Sequence, residues 1–308
     1  MKKNSLTSPV VVTAIAMFCC LLWGSATPVI KLGYEILGIQ SDDWAVQLLF
    51  AGIRFSLAGV LAVLFGSIVN KKFLYPRRPD FKHVLTLSAF QTVMQYFSFY
   101  IGVAHCAGAK SAIINSSNAF LTILLACFVF RQEKMTRRKA AGCLLGLLGL
   151  VIINLGGDWS GKMTFLGEGF LVVAALGYSV AAVLMHSFST KSDPVMLAGW
   201  QFFFGGLVLC LVGVLFGGRL DLFRPACLLL LLYLGCLSAA AYSLWSILLK
   251  YNPVSKVSLN SVMVPVFGVF LSALILGETE AFSINTVVSL LLICGGIYIV
   301  NKKKHLPH

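Results

Sequence analysis

Ten apolar stretches, each long enough to cross a bilayer, follow one another along this chain with little between them. They run over residues 10–32, 45–69, 83–104, 109–130, 138–155, 166–187, 194–217, 226–249, 254–276 and 283–300. A helix rises about 1.5 Å per residue, so about 20 apolar residues cross the ~30 Å hydrocarbon layer. The runs are continuous rather than alternating, which favours helices over barrel strands. Charged residues make up only 11% of the chain and apolar residues 58%, where soluble domains carry about 25% charged. The sequence therefore predicts an all-α integral membrane fold of ten transmembrane helices, with little chain left for a soluble domain.

The basic residues set an orientation. If the N-terminus is cytoplasmic, Lys2, Lys3, the 71–82 and 131–139 connections, Lys191, Lys250 and Lys302–Lys304 all fall inside, as the positive-inside rule requires. Lys31, Lys110, Lys162, Arg219 and Arg224 fall outside, and Arg54 and Lys256 lie within runs. Both termini are thus expected in the cytoplasm, which requires an even number of spans and argues against nine. The same placement explains the net charge of +13 without nucleic acid as a partner. The first run is longer than a signal-peptide core and no small-residue cleavage site follows it, so it is expected to be retained. The nine cysteines fall almost entirely inside apolar runs, with no spacing for a disulfide framework or a metal site.

The chain also repeats itself. Residues 95–116 align without a gap on 240–261, pairing Ser98 with Ser243, Tyr100 with Trp245, and Asn115-Ser116 with Asn260-Ser261. In each half the asparagine precedes a glutamate that closes the span, Glu133 and Glu278, and the second and seventh runs share AGIRFSLAG against AGWQFFFGG. Two units follow, 1–155 and 156–308, the second ending in a basic cytoplasmic tail. Five spans per unit is odd, so the second copy is expected upside down relative to the first. Inverted repeats are a recurrent build of secondary transporters, because two inverted copies give near-equivalent states open to opposite sides.

With these features the chain resembles the drug/metabolite transporter superfamily, in its ten-span EamA-type members. The residues that carry the resemblance are Trp23-Gly24, Arg54, Pro265 and Gly277-Glu278. The sequence departs from the pattern where Gln132-Glu133 stands in place of Gly-Glu, and where Phe120 stands opposite Pro265. The resemblance implies a plasma-membrane exporter of metabolites, amino acids or drugs, with a central cavity between the two inverted five-helix repeats.

Residues 156–162 match a phosphate-binding loop up to Lys162, but Met163 stands where Ser or Thr would hold magnesium and no strand precedes it. An ordinary glycine-rich loop is expected, with no ATP-driven pumping. Arg54 lies about ten residues into its span, where a charge is costly unless paired or hydrated. It either meets an anion in a wet cavity or bonds helix-end carbonyls. Lys256 either snorkels to the interface or joins Asn260, one turn on, at a solute. Asn115, Ser116, Asn260 and Ser261 either bond neighbouring helices or line the solute path. Gln95 and the rings of Trp23, Tyr96, Tyr178 and Tyr242 suit a cavity for a small amphipathic solute.

The expected function is secondary transport, with a small-molecule solute and membrane lipid as partners and a homodimer left open. A passive channel or non-transporting sensor is the alternative. An enzyme is not expected, since the spans hold no paired carboxylates, Ser/His pair or His-rich cluster. No cofactor is expected, and the lack of a mid-span acid leaves the coupling ion open.

Overall fold

The structure is a computed structural model that describes residues 6–40, 42–105, 114–115, 117–153, 164–222, 224–276 and 284–301. The described residues form ten helical stretches. These are α1 (Pro9–Leu37), α2 (Trp44–Val69), α3 (78–104), α4 (Asn118–Val129), α5 (Arg137–Ile153), α6 (Phe165–Ser189), α7 (Pro194–Leu215), α8 (Pro225–Tyr251), α9 (254–276) and α10 (Ile284–Asn301). Five of them, α1, α2, α6, α7 and α8, are long and apolar enough by themselves to cross a membrane. Residues 156–162 and 277–278, Ser116 and the basic tail lie outside the described residues.

The ends of the helices follow from local chemistry that hydropathy does not register. Proline occupies the first turn of α1, α3, α7 and α8, where its missing N–H costs nothing. Helix α1 continues to Leu37 rather than 32. It stops where Gly38 takes φ +70° and its N–H, with that of Ile39, closes on Glu35 and Tyr34 carbonyls; L side chains rarely adopt that conformation. Helix α3 begins at Arg78 rather than 83, because Asp80 folds back to accept from the Arg77 N–H and stabilises a polar first turn.

At the start of α7, Asp193 accepts from the Val195 and Met196 amides at 2.9 Å each. Asp193→Ala leaves both amides without that acceptor and is expected to cost about 1 kcal/mol, most of it recovered by Asp193→Asn. A detergent melting curve of the three proteins checks this order.

Four turns depart from α geometry: π segments at Ser88–Met94 in α3, Leu125–Val129 in α4 and Phe165–Gly169 in α6, and a 3₁₀ turn at Leu259–Val262 in α9. The π segment of α3 is wedged between glycines. A Cβ at Gly177 would stand 2.9 Å from the Phe90 carbonyl, and one at Gly205 would collide with the Thr92 Cβ.

Helices α2 and α7 form the largest interhelical contact, and they run antiparallel. A Cβ on Gly52 would fall 2.8 Å from the Gly206 carbonyl, and one on Gly206 2.7 Å from that of Gly52. Gly59 and Gly199 oppose each other in the same reciprocal way, at 2.5 and 3.1 Å. The first glycine of each AGxxxxxxG segment therefore meets the last glycine of the other. Helices α5 and α10 repeat the device with Gly142 against Gly296. Helix α1 packs on α8 and α9, while α6 packs on α3 and α4. These pairings persist when each helix is exchanged for the one five places along.

Apolar side chains such as Leu64, Ile68, Leu144, Leu211, Leu229 and Leu291 point outward and exposed. An apolar exterior of this extent requires lipid. The protein is a multi-pass membrane protein. Both ends of the described chain lie at one end of the bundle, since Thr7, Ser8 and Val300 line a single cleft of about 670 Å³. That face is called the terminal end below.

Candidate functional site

Between α1, α2, α3, α7 and α8 the rings of both halves interlock. Trp23 meets Tyr242 and Trp245 edge-on at 5.0 and 4.9 Å, and Phe202 meets Tyr242 at 4.5 Å. Phe55 stacks on Phe202 at 5.1 Å with only 10° between planes, and touches Tyr96 at 4.2 Å. The Tyr96 and Tyr242 hydroxyls bond each other across the halves at 2.7 Å. Of the sequence-predicted rings, Trp23, Tyr96 and Tyr242 share this group. Tyr178, also buried, packs in the adjoining core cluster with Trp245.

Arg54 lies against this group. It is only 6% exposed, and its guanidinium sits 4.3 Å from the centre of the Phe55 ring. Tyr34, Tyr96 and Tyr242 lie within its electrostatic reach. Its Nε and Nη1 atoms are buried with no hydrogen-bond partner. The counterpart in the second half behaves differently: Gln201, fully buried, accepts from the Thr92 hydroxyl at 2.7 Å. Gln95 is buried one residue before Tyr96, its Oε1 without a partner.

Tyr34, Phe55 and Phe202 were not among the residues expected from the sequence. A signal was present for two of them: Phe55 follows Arg54 and Phe202 follows Gln201 at matching positions of the repeat. The stack across the halves is formed by those two phenylalanines.

The remaining predicted residues stand apart from this group. Asn260 is fully buried, and its Nδ2 donates to the Lys256 and Val257 carbonyls at 2.8 and 3.2 Å. Ser261 donates to the Ser258 carbonyl at 2.7 Å. All three bonds run from the 3₁₀ turn back to carbonyls of the first turn of α9 itself. Lys256 borders the terminal-end cleft with its Nζ 3.5 Å from the Thr7 carbonyl. Asn115 is half-buried just before α4.

At the terminal end the two halves are bonded together. Asn252 donates to the Leu6 carbonyl at 2.9 Å, Trp200 to the Leu74 carbonyl at 2.8 Å, Ser192 to Asp80 at 2.5 Å and Gln132 to the Ser187 hydroxyl at 2.6 Å. Glu133, in the connection between α4 and α5, reaches the first turn of α9. It accepts from the Ser255 amide at 3.1 Å and from the Ser255 hydroxyl, and pairs with Lys139 at 2.5 Å. Burial pushes its carboxyl upward, but Lys139 and the two Ser255 donors outweigh burial and hold it below its ordinary value. The carboxylate occupies the amide end of a helix, where negative charge is favoured.

The model of one protein family matches this chain twice, over residues 11–155 and 165–302. The chain belongs to the EamA-like transporter family. Relatives of this EamA-like chain include a chloroplastic WAT1-related protein of Arabidopsis thaliana, 27% identical over 91% of this chain and 66% of that protein. They also include a protein of Salmonella typhimurium named a probable amino-acid metabolite efflux pump, 26% identical over 92% of this chain and 93% of its own length. The uncharacterized transporter YetK of Bacillus subtilis is 26% identical over 84% of this chain and 79% of that one. A crystal structure of a protein 19% identical in sequence superposes with a TM-score of 0.77, covering 95% of this chain and 97% of the other. That likeness concerns the fold.

The EamA-like chain thus holds two separate devices. One is a ring-lined group between the halves with a buried cation beside it. The other is a set of polar bonds that holds the halves together at the terminal end.

Proposed function

We propose that the protein is a secondary transporter of the cell membrane, crossing it ten times with both termini in the cytoplasm and exporting small organic solutes by alternating access. The observation that carries this is the reciprocal glycine contact between α2 and α7. Counterpart helices from the two halves run antiparallel through the middle of the bundle, as an inverted pair requires. The position of both chain ends at one face supports the even count, and the basic connections at that face support its cytoplasmic side. The name of the Salmonella typhimurium relative supports export. The repeat units are 1–155 and 156–308.

In this reading the solute site is the group of Trp23, Arg54, Gln95, Tyr96, Tyr178 and Tyr242. The terminal-end bonds are the inner gate, closed in this conformation, with Lys256, Asn260 and Ser261 at its rim and Asn115 at the opposite mouth; Ser116, which lies outside the described residues, is assigned to that mouth from the sequence alone. Opening either way parts rings that now touch across the halves, so the Tyr96–Tyr242 bond is one of the interactions exchanged.

The test is solute counterflow in proteoliposomes, run with a panel of metabolites and amphipathic drugs. A saturable flux that a trans solute accelerates is expected. Tyr96→Phe with Tyr242→Phe removes a bond worth about 1 kcal/mol and should change the maximal rate several-fold while the protein still inserts. A flux that never saturates would make the protein a channel and end this reading.

A further inference from the structure

We propose that Arg54 is an anion subsite, and that the solute class is a small organic monocarboxylate bearing an aromatic or flat apolar body. This rests on the transport reading above for its purpose, but not for the binding it describes.

Arg54 carries an unmet charge. It is more than nine-tenths buried, its Nε and Nη1 atoms lack partners, and no ion pair holds it among the described residues. Leaving a buried guanidinium uncompensated costs several kcal/mol. The contact with Phe55, 4.3 Å from the ring centre, offsets only part of that. A guanidinium whose Nε and Nη1 donors are unpartnered favours a carboxylate by its charge and planar shape. Gln201, at the matching position, carries no charge to compensate: its Oε1 accepts from Thr92 while its Nε2 is buried without a partner.

The surroundings narrow the class further. One guanidinium compensates one negative charge, so a dianion would be left with a buried excess. Tyr34, Tyr96 and Tyr242 are within electrostatic reach; because the Tyr96 and Tyr242 hydroxyls bond each other, that pair has one proton left to donate to a carboxylate, beside the hydroxyl of Tyr34. Beyond them the walls are the rings of Phe55, Trp23 and Phe202, which receive a flat apolar body by edge and face contacts. The Trp23 Nε1 is a further buried donor without a partner, consistent with a site that awaits an acceptor.

The test compares 3-phenylpropionate, its neutral amide 3-phenylpropanamide, and 3-phenylpropylamine as ligands of the purified full chain, read by thermal shift in detergent. The carboxylate should bind at least about tenfold more tightly than the amide, since a charged hydrogen bond contributes about 1.5–3 kcal/mol. The amine should not bind. Arg54→Gln should lose the preference for carboxylate over amide and should melt no lower than the native chain when no ligand is present. Arg54→Lys should keep part of it.

Equal protection by carboxylate and amide in the native chain overturns the proposal without any variant. So does Arg54→Gln binding 3-phenylpropionate unchanged, or Arg54→Gln unfolding while Arg54→Lys shows no loss of the preference, which marks a structural arginine. Counterflow separates the two ideas. Binding as expected with no saturable flux retains the subsite and removes the transporter. Saturable flux of other solutes with no carboxylate preference does the reverse.

Discussion

Gly206→Val is expected to abolish the folded protein. A Cβ at this position would lie 2.5 Å from both the Ser56 backbone nitrogen and its Oγ, and 2.7 Å from the Gly52 carbonyl. Two of these three atoms belong to the backbone of α2 and cannot turn away, so α2 and α7 must separate. In lipid there is no hydrophobic drive to hold helices together, and close backbone approach supplies much of the attraction. Overpacking alone costs about 1–3 kcal/mol, and separating the central pair also forfeits the packing along its whole length. A size-exclusion profile in detergent should lose its monodisperse peak, or the protein should melt far below the native chain. Gly295→Ala is the control: a Cβ there meets nothing within 4 Å, and replacing a mid-helix glycine gains up to about 1 kcal/mol. If Gly206→Val melts like the native protein, α2 and α7 do not touch and the central pairing is wrong.

The second large effect is expected at the terminal end. Glu133→Ala leaves Lys139, which is 17% exposed, with the Lys134 carbonyl alone, and removes the acceptor that caps α9 at Ser255. The pair is part-buried at the edge of the cleft, so with the lost Ser255 bonds the cost is about 1–3 kcal/mol, and melting should fall below the native curve. Glu133→Gln keeps an oxygen for Ser255 and should cost less.

A pH series adds a test with a definite sign. The Glu133 carboxyl is held below its ordinary 4.5, so the folded state favours the carboxylate. Its contribution is fully present above 4.5 and disappears as pH falls through the lowered value. The melting difference between the native chain and Glu133→Gln should therefore be constant near neutrality and narrow in acid. A difference that widens toward low pH would mean that the pair is not formed.

The repeat was readable because it sits in the sequence itself. AGIRFSLAG and AGWQFFFGG place small residues at the two ends of matching segments, and the fold uses those glycines to bring α2 and α7 together. The partners of each glycine were not readable: nothing local says that Gly52 meets Gly206 rather than Gly199. Polar residues were harder still. Asn260 reads as either a bond between helices or a solute contact, and the structure takes its Nδ2 to carbonyls of its own helix while its Oδ1 is buried without a partner. Glu133 reads as a solvated or capping acid at the end of a span, and only the structure names what it caps, Ser255 from the other half. An apolar run reports only that a helix must be there, and polar side chains choose partners from whatever the packing brings within about 3 Å.

By itself the sequence determined that the chain forms a series of membrane helices and that one half echoes the other. Both follow from transfer of apolar segments out of water and from residues spaced along a single strand of sequence. The tertiary structure alone decided that Arg54 is left without a partner beside Phe55, and that Tyr96 bonds Tyr242 across the halves. It also decided that Glu133 closes on α9. Those are meetings between residues far apart along the chain, set by helix crossing and glycine contacts that no local pattern encodes.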